Sequence, residues 1–287
     1  MILIADSGST KTSWCLLNNS KVVTCFETEG FNPYFTSTAY IIHSLDESLP
    51  PDIRPNDIAQ VFFYGSGCFP DKAAVISNAL KEVFPGSVIN VELDLLGTAR
   101  ALLGNSSGFA AILGTGTNTC LYDGQNITMN IDSLGYILGD EGSGTHIGKR
   151  LLADYLHGYM PAQEAASFTQ TYNITKEEVF NRVYAQALPN RYCASFVPFL
   201  HAPAVGPEYR HKVLSASFGD FFDKLVTHYP SFSDHTFNCT GSVAYYFREE
   251  LASVAKGHGM KTGLILKEPM EGLVIFHAQD TSSTTTG

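Results

Sequence analysis

The chain has 287 residues, which is roughly two domains at about 150 residues each. A hydrophobic share of 44% beside a charged share of 16% argues for a folded protein with a sizeable core, and against disorder or a coiled coil. The net charge of −10, from 18 basic and 28 acidic residues, argues against a nucleic-acid partner, although backbone amides can still hold a small anion.

In chain order, Met1 to Ala5 is an apolar run that stops at Asp6-Ser7-Gly8-Ser9-Thr10. Ser13 to Leu17 and Val22 to Glu27 complete a three-stranded meander, with a turn at Asn18-Asn19. Ile41, Leu45 and Leu49 predict a helix over Thr38 to Leu49. A strand over Gln60 to Tyr64 ends in Gly65-Ser66-Gly67, and a helix over Lys72 to Phe84 follows. Val88 to Leu93 reads as a strand ending at Asp94, and Leu95 to Leu103 as the next helix. That order implies a mixed sheet covered by helices.

The pattern then restarts. Gly108 to Leu113 is an apolar strand meeting Gly114-Thr115-Gly116-Thr117-Asn118, with Thr119 to Tyr122 as the returning strand. Gly8-Ser9-Thr10 set over Gly116-Thr117-Asn118 gives matching flanks at an offset of 108 residues. Two domains are expected, over 1–105 and 106–287, with the last helix packing back on the first. Helices are predicted over Gly144 to Gly158, Lys176 to Leu188 and Arg210 to His228. Phe237 to Thr240 is a strand, Gly241-Ser242 opens another helix, and the Ser/Thr-rich tail from Asp280 is expected to fray. The match between halves is either coincidence between two Gly/Thr hairpins or a duplication whose turns face one cleft.

No run of about 18 apolar residues exists, so no transmembrane helix and no membrane partner is expected. Met1 to Asp6 lacks a basic n-region and does not read as a signal peptide, which points to the cytoplasm. The six cysteines are scattered, with no C-x-x-C pair, and are expected to be reduced and mostly buried. Five N-x-S/T triplets are read as chance matches.

A turn of Gly, Ser and Thr presents closely approachable N–H groups and hydroxyls, the make-up of a phosphate cradle. Gly8 and Gly116 would let the backbone near a ligand, while Thr10, Thr115 and Thr117 would donate hydroxyls. Lys11 could place one positive charge near a phosphate, and Asp6 is positioned to hold hydrated Mg²⁺. The P-loop pattern fails at Ser143 to Arg150, and no dinucleotide, zinc-protease or nucleophile-elbow motif occurs. Asp94 is either a helix N-cap or a carboxylate that accepts a proton from an attacking hydroxyl. Gly139-Asp140-Glu141-Gly142-Ser143 is either a capping loop or a flexible loop whose carboxylates bind sugar hydroxyls. Asn32, in Gly30-Phe31-Asn32-Pro33, is a turn residue or a ligand contact.

These residues converge on a family. Asp6-Ser7-Gly8-Ser9-Thr10-Lys11-Thr12 resembles the first phosphate motif of the actin-like ATPase superfamily, and Ile112-Leu113-Gly114-Thr115-Gly116-Thr117-Asn118 resembles its second. Asn238-Cys239-Thr240-Gly241-Ser242-Val243 resembles its adenosine motif. Within the superfamily, the spacing and Gly139 to Ser143 resemble N-acetylglucosamine kinases, which share a larger family with the activator ATPases of 2-hydroxyacyl-CoA dehydratases.

The resemblance implies an α/β fold of two actin-like (ribonuclease H-like) domains. Each would have a mixed five-stranded sheet flanked by helices, with ATP in the interdomain cleft. Gly8, Ser9 and Thr10 would hold the β- and γ-phosphates, with Lys11 beside them and Thr115 and Gly116 opposite. Asp6 would organise Mg²⁺, and Gly241 and Ser242 would contact the adenosine. Asp94 would deprotonate the sugar 6-hydroxyl, and Asn32, Thr117, Asn118 and Asp140 would hold the sugar. Met270-Glu271-Gly272 lies where the family has a Gly-rich helix start beside the nucleotide. The animal enzymes carry a Trp shortly before the Gly-Asp-Glu-Gly-Ser stretch. Here Ser133-Leu134-Gly135-Tyr136 stands there, so glucosamine, N-acetylmannosamine and muramic acid stay open beside N-acetylglucosamine.

The expected activity is therefore ATP-dependent phosphorylation of an amino sugar, with a homodimer compatible. The alternative is an ATPase switch that activates a partner enzyme, which keeps the phosphate turns and has no use for Asp94 or Asp140. The activators hold an iron–sulfur cluster through cysteine. Cys68 has no partner cysteine nearby in the sequence, which argues against that branch.

Overall fold

The computed structural model describes residues 1–8 and 10–283. The first half forms strands β1 (Ile2–Ser7), β2 (Lys11–Asn18), β3 (Lys21–Glu29), β4 (Gln60–Gly65) and β5 (Val88–Leu93), with helices α1 (Thr38–Ser48), α2 (Ala73–Val83) and α3 (Asp94–Leu103). The chain continues through β6 (Gly108–Leu113), β7 (Thr117–Tyr122) and β8 (Ile127–Asn130). Helices α4 (Gly135–Leu138), α5 (Gly144–His157), α6 (Ala162–Tyr172), α7 (Lys176–Tyr184), α8 (Pro189–Ala194) and α9 (Pro207–Lys224) follow. Then come β9 (Thr236–Thr240), α10 (Ser242–Tyr246), α11 (Arg248–Gly257), β10 (Lys261–Leu266) and α12 (Met270–Ser283).

Two five-stranded sheets result, in the orders β3-β2-β1-β4-β5 and β10-β9-β6-β7-β8. In the first, β1 pairs antiparallel with β2 and parallel with β4, so the sheet is mixed as the element order requires. By internal packing the chain divides into two compact units. The first contains Met1–Ala110, Tyr122–Thr128 and the stretch from Glu268 on; the second contains Ala111–Leu121 and Met129–Lys267. The division therefore differs from a single break at 105/106, because the chain crosses between the units four times.

The first unit is built around Trp14, which is fully buried and stacks on Phe26 at 5.8 Å between ring centroids, with Phe31 and Phe63 beside it. Helix α12 packs on α3, and its Gly272 approaches so closely that a Cβ there would lie 2.3 Å from the Ala101 carbonyl. A buried hydrogen-bond relay anchors that helix: the Tyr64 hydroxyl lies 2.9 Å from His277 Nε2 and accepts from Arg100 at 2.8 Å. Gly272 thus serves helix packing in the position where the family resemblance placed it beside the nucleotide. In the second unit, Phe221, Phe222 and Phe237 form an aromatic core between α9 and β9.

The thiol expectation needs one correction. Cys15 and Cys25 face each other directly in the β2–β3 register and are disulfide-bonded, while Cys68, Cys120, Cys193 and Cys239 are free and buried. The pair arises from hairpin register, which spacing rules for local cysteine pairs do not detect. No helix among the described residues is long and apolar enough to cross a membrane.

Candidate active site

In the first unit, β1 delivers Asp6 and Ser7 to a turn in which Gly8 N–H donates to the Lys11 carbonyl at 3.0 Å. Gly8 and Thr10 are exposed, and Ser9 lies outside the described residues. The Thr10 carbonyl accepts from Gly30 N–H at 3.1 Å, tying the turn to the loop that carries Asn32. Burial pushes the Asp6 carboxyl up to about 7, helped by the negative charges of Asp94 and Glu268 and opposed by Lys11. The Lys11 ammonium is itself engaged, 2.7 Å from Glu27 and 3.1 Å from Glu268.

Asp94 stands where β5 ends and is the first residue of α3; the residue capping that helix is Leu93, so Asp94 is not the N-cap. Its Oδ1 accepts from Leu95 N–H at 2.9 Å. Burial raises its pKa to about 6, against the lowering effect of that bond. Such a carboxylate is ionised at neutral pH and close enough to it to take a proton in a reaction. Burial, with the nearby Asp94 charge adding to it, pushes the Cys68 thiol up.

Asn32 is held beside this region. Its Oδ1 accepts from Tyr34 N–H at 3.0 Å, and its amide lies against Gly67, where a Cβ would come within 3.0 Å of Oδ1. Gly67 also has φ +77°, a backbone that glycine adopts freely. The Gly65-Ser66-Gly67 stretch is therefore part of the Asn32 surroundings, a role its sequence did not suggest.

In the second unit, Gly114 N–H donates to the Gly116 carbonyl at 3.0 Å, closing the turn between β6 and β7. The start of α5 lies directly on that turn: Gly144 N–H donates to the Gly114 carbonyl at 2.8 Å and Thr145 N–H to the Thr115 carbonyl at 3.1 Å. Thr117 N–H donates to Asp140 Oδ1 at 3.1 Å, and the Thr117 hydroxyl donates to the Glu141 carbonyl at 2.6 Å. Asn118 Oδ1 accepts from Thr119 N–H and from Asn130 Nδ2, at 3.0 and 2.9 Å. Gly241 has φ +120° and touches the same turn; a Cβ there would lie 2.3 Å from the Leu113 carbonyl. Ser242 follows it, exposed, as the first residue of α10.

The 139–143 stretch is closely packed against its neighbours. A Cβ on Gly139 would collide with the Ser133 carbonyl, and one on Gly142 would lie 2.8 Å from the Phe221 Cβ. Asp140 is buried with φ +58°, and burial raises its pKa. Glu141 is buried and paired with Lys224 at 3.1 Å, so of the two carboxylates only Asp140 sits against the turn.

The comparisons bear directly on this arrangement. A solved structure of a proposed N-acetylglucosamine kinase from Porphyromonas gingivalis matches with a TM-score of 0.91 and 41% identity, over 98% of this chain and 100% of that one. The chain belongs to the N-acetylglucosamine kinase-like sugar kinases. A proposed N-acetylglucosamine kinase from Chromobacterium violaceum shares the fold at a TM-score of 0.73 and 17% identity, over 96% and 98% of the two chains. A ROK family glucokinase from Streptomyces griseus, solved with glucose and AMPPNP, shares it at 0.56 and 11%, over 98% of each chain. No family model and no curated protein matches the chain.

A sugar kinase of this family uses ATP, whose phosphates are commonly neutralised by a divalent ion. No group of three or more His, Cys, Asp or Glu side chains with metal-holding geometry exists among the described residues. Mg²⁺ does not need one, because it keeps several waters and takes phosphate oxygens with one or two carboxylates. Asp6 fits that requirement: it is a partly buried carboxylate whose acidic neighbours favour a bound cation or proton. Glu27 and Glu268 escaped sequence reading because only the folded chain brings them to Lys11.

Proposed function

We propose that this ATP-dependent sugar kinase phosphorylates an amino sugar, N-acetylglucosamine first among them, at its 6-hydroxyl. The observation that carries the reading is Asp94. A partly buried carboxylate with a pKa near 6, beside the acid that would hold Mg²⁺, suits a base acting on a hydroxyl. The family relationship supports the substrate class, since the 41%-identical relative is described as acting on N-acetylglucosamine.

In this mechanism Asp94 accepts the proton of the 6-hydroxyl as its oxygen bonds to the γ-phosphorus of ATP and the bond to the β-phosphate oxygen breaks. ADP leaves, and the proton rests on the Asp94 carboxylate until it passes to solvent. Gly8, Ser9 and Thr10 hold the β- and γ-phosphates, with Thr115 and Gly116 contributing backbone N–H groups. Gly241 and Ser242 contact the adenosine. Asn32, Thr117, Asn118 and Asp140 orient the sugar. Asp6 would hold hydrated Mg²⁺, which supplies charge neutralisation for the phosphate oxygens. Lys11, already paired with Glu27 and Glu268, positions the turn more than it supplies charge.

The second reading, an ATPase switch acting on a partner enzyme, keeps both turns and leaves Asp94 without a task. An ATP-consumption screen against amino sugars separates the two. Asp94→Asn should lower sugar-dependent turnover by about 10²–10⁴-fold while leaving AMPPNP binding in place. Sugar-independent hydrolysis that the substitution does not change would overturn the kinase reading.

A further inference from the structure

Ser7 is the last residue of β1 and is fully buried. Its hydroxyl lies 2.7 Å from the Thr12 hydroxyl across the β1–β2 hairpin, accepts from Phe31 N–H at 3.0 Å, and lies 3.4 Å from the Phe31 carbonyl. Its own carbonyl accepts from Ser66 N–H at 3.0 Å. Thr12 extends the link, because its hydroxyl donates to the Glu29 carbonyl at 2.9 Å. Ser7 thus joins three loops: the 8–10 turn it precedes, the Phe31-Asn32 loop through its hydroxyl, and the Ser66-Gly67 loop through its backbone carbonyl. The last two hold the Asn32 amide between them.

We propose that Ser7 is a positioning residue that couples the phosphate turn to the Asn32 loop, so that occupation of one orders the other. This deepens, and rests on, the assignment of the turn to nucleotide and of Asn32 to sugar. The physical basis is the density of the link. A hydroxyl with a donor and an acceptor role, both used and out of water, has one low-energy arrangement. A shift of the β1 end on phosphate binding must therefore move Phe31, and Asn32 follows it by one peptide. Ser7→Ala deletes the hydroxyl and with it the side-chain link, adds no bulk, and leaves the backbone bond to Ser66 in place.

Hydrogen exchange on the full chain, with and without Mg-AMPPNP, tests this. In the wild type, AMPPNP should slow exchange in residues 30–36 as well as in the 8–12 turn. In Ser7→Ala the turn should still respond, while the response of 30–36 falls at least 5-fold. The same variant should raise the KM for N-acetylglucosamine about 5- to 10-fold, with the KM for ATP changing less than 2-fold. Thr12→Val, which removes the other hydroxyl of the pair at constant shape, should reproduce the loss, and the double variant should add little to either single one. A purely structural role would lower the melting temperature and leave the response of 30–36 intact. That result, or no response of 30–36 in the wild type, overturns the coupling. Failure of the wild type to phosphorylate any amino sugar, with the exchange coupling present, overturns the kinase assignment alone.

Discussion

The turn after β1 and the turn after β6 have similar residues and different support. Around the first, space is open: among the described residues beyond its chain neighbours, a Cβ on Gly8 would meet only the Lys11 carbonyl, at 3.8 Å. What marks it is charge, with Asp94 and Glu268 close enough to add to the raised proton affinity of buried Asp6 and Lys11 held between two glutamates. Around the second, neighbours come closer: a Cβ on Gly116 would lie 3.2 Å from Asp140 Oδ1, although one on Gly114 would meet nothing within 4 Å. The start of α5, Asp140 and Gly241 all press on Gly114 to Thr117. One turn is set up by electrostatics and can still adjust; the other is fixed by packing before any ligand arrives. Preorganised backbone donors cost no reorganisation at the moment of reaction, whereas an adjustable acidic turn can respond to a cation.

The largest effect that would break this contrast is expected at Gly241. Gly241→Ala puts a Cβ 2.3 Å from the Leu113 carbonyl and 3.0 Å from the Gly114 nitrogen, at a φ of +120°. Backbone strain and overpacking together should cost roughly 3–5 kcal/mol. Thermal unfolding should show a fall of about 6–20 °C. A variant melting like the wild type would mean that the second turn is not held by packing.

The next effect in size is expected at Asp6. Its folded pKa, about 7, lies above the ordinary aspartate value of 3.8. The folded chain therefore keeps a proton that the unfolded chain loses as pH rises from about 4. Stability tied to that proton is full below pH about 4 and is lost as pH rises through about 7. At pH 8, without nucleotide, Asp6→Asn should be more stable than the wild type by roughly 2–4 kcal/mol, measured by denaturant unfolding. Some slope up to pH about 6 should persist in the variant, because Asp94 is shifted in the same direction. Mg²⁺ competes with the same proton, so Mg-AMPPNP affinity of the wild type should fall as pH drops below 7 and that of the variant should be weak and flat. An Asp6→Asn protein with wild-type pH dependence would remove the electrostatic half of the contrast.

How much of this was readable beforehand follows the same division. Strands β1 to β6 and both Gly/Thr turns were legible because apolar runs ended in turn residues at regular places. β10 was not, since Gly263 interrupts it at a register shift and fits only because a Cβ would strike Asn238 Oδ1. α12 carried no periodic signal, since its apolar residues run around the helix, Leu273 buried and Ile275 exposed, and it was expected only from the family resemblance. Among site residues, those inside motifs were found from local pattern. Ser7, Glu27, Glu268 and the Gly65–Gly67 stretch were missed, because their importance lies in hydrogen bonds and ion pairs to residues 5 to 257 positions away, which no local pattern encodes. The Cys15–Cys25 bond belongs with them, because it depends on hairpin register.

The smallest effect is the sharpest probe of the first turn. Gly8 has no positive φ, and a Cβ there has ordinary van der Waals contact at most. Gly8→Ala should therefore change stability by no more than about 0.5–1 kcal/mol, in either direction, since reduced freedom of the unfolded chain partly offsets any local cost. The same methyl would project from an exposed turn at the place where a phosphate must approach the backbone N–H groups. AMPPNP affinity should then fall about 10-fold or more while the melting curve stays put. Calorimetric titration beside thermal unfolding separates the two quantities. A Gly8→Ala protein that binds AMPPNP normally would take the nucleotide phosphates away from this turn; one that unfolds as readily as Gly241→Ala would show that both turns are held by packing after all.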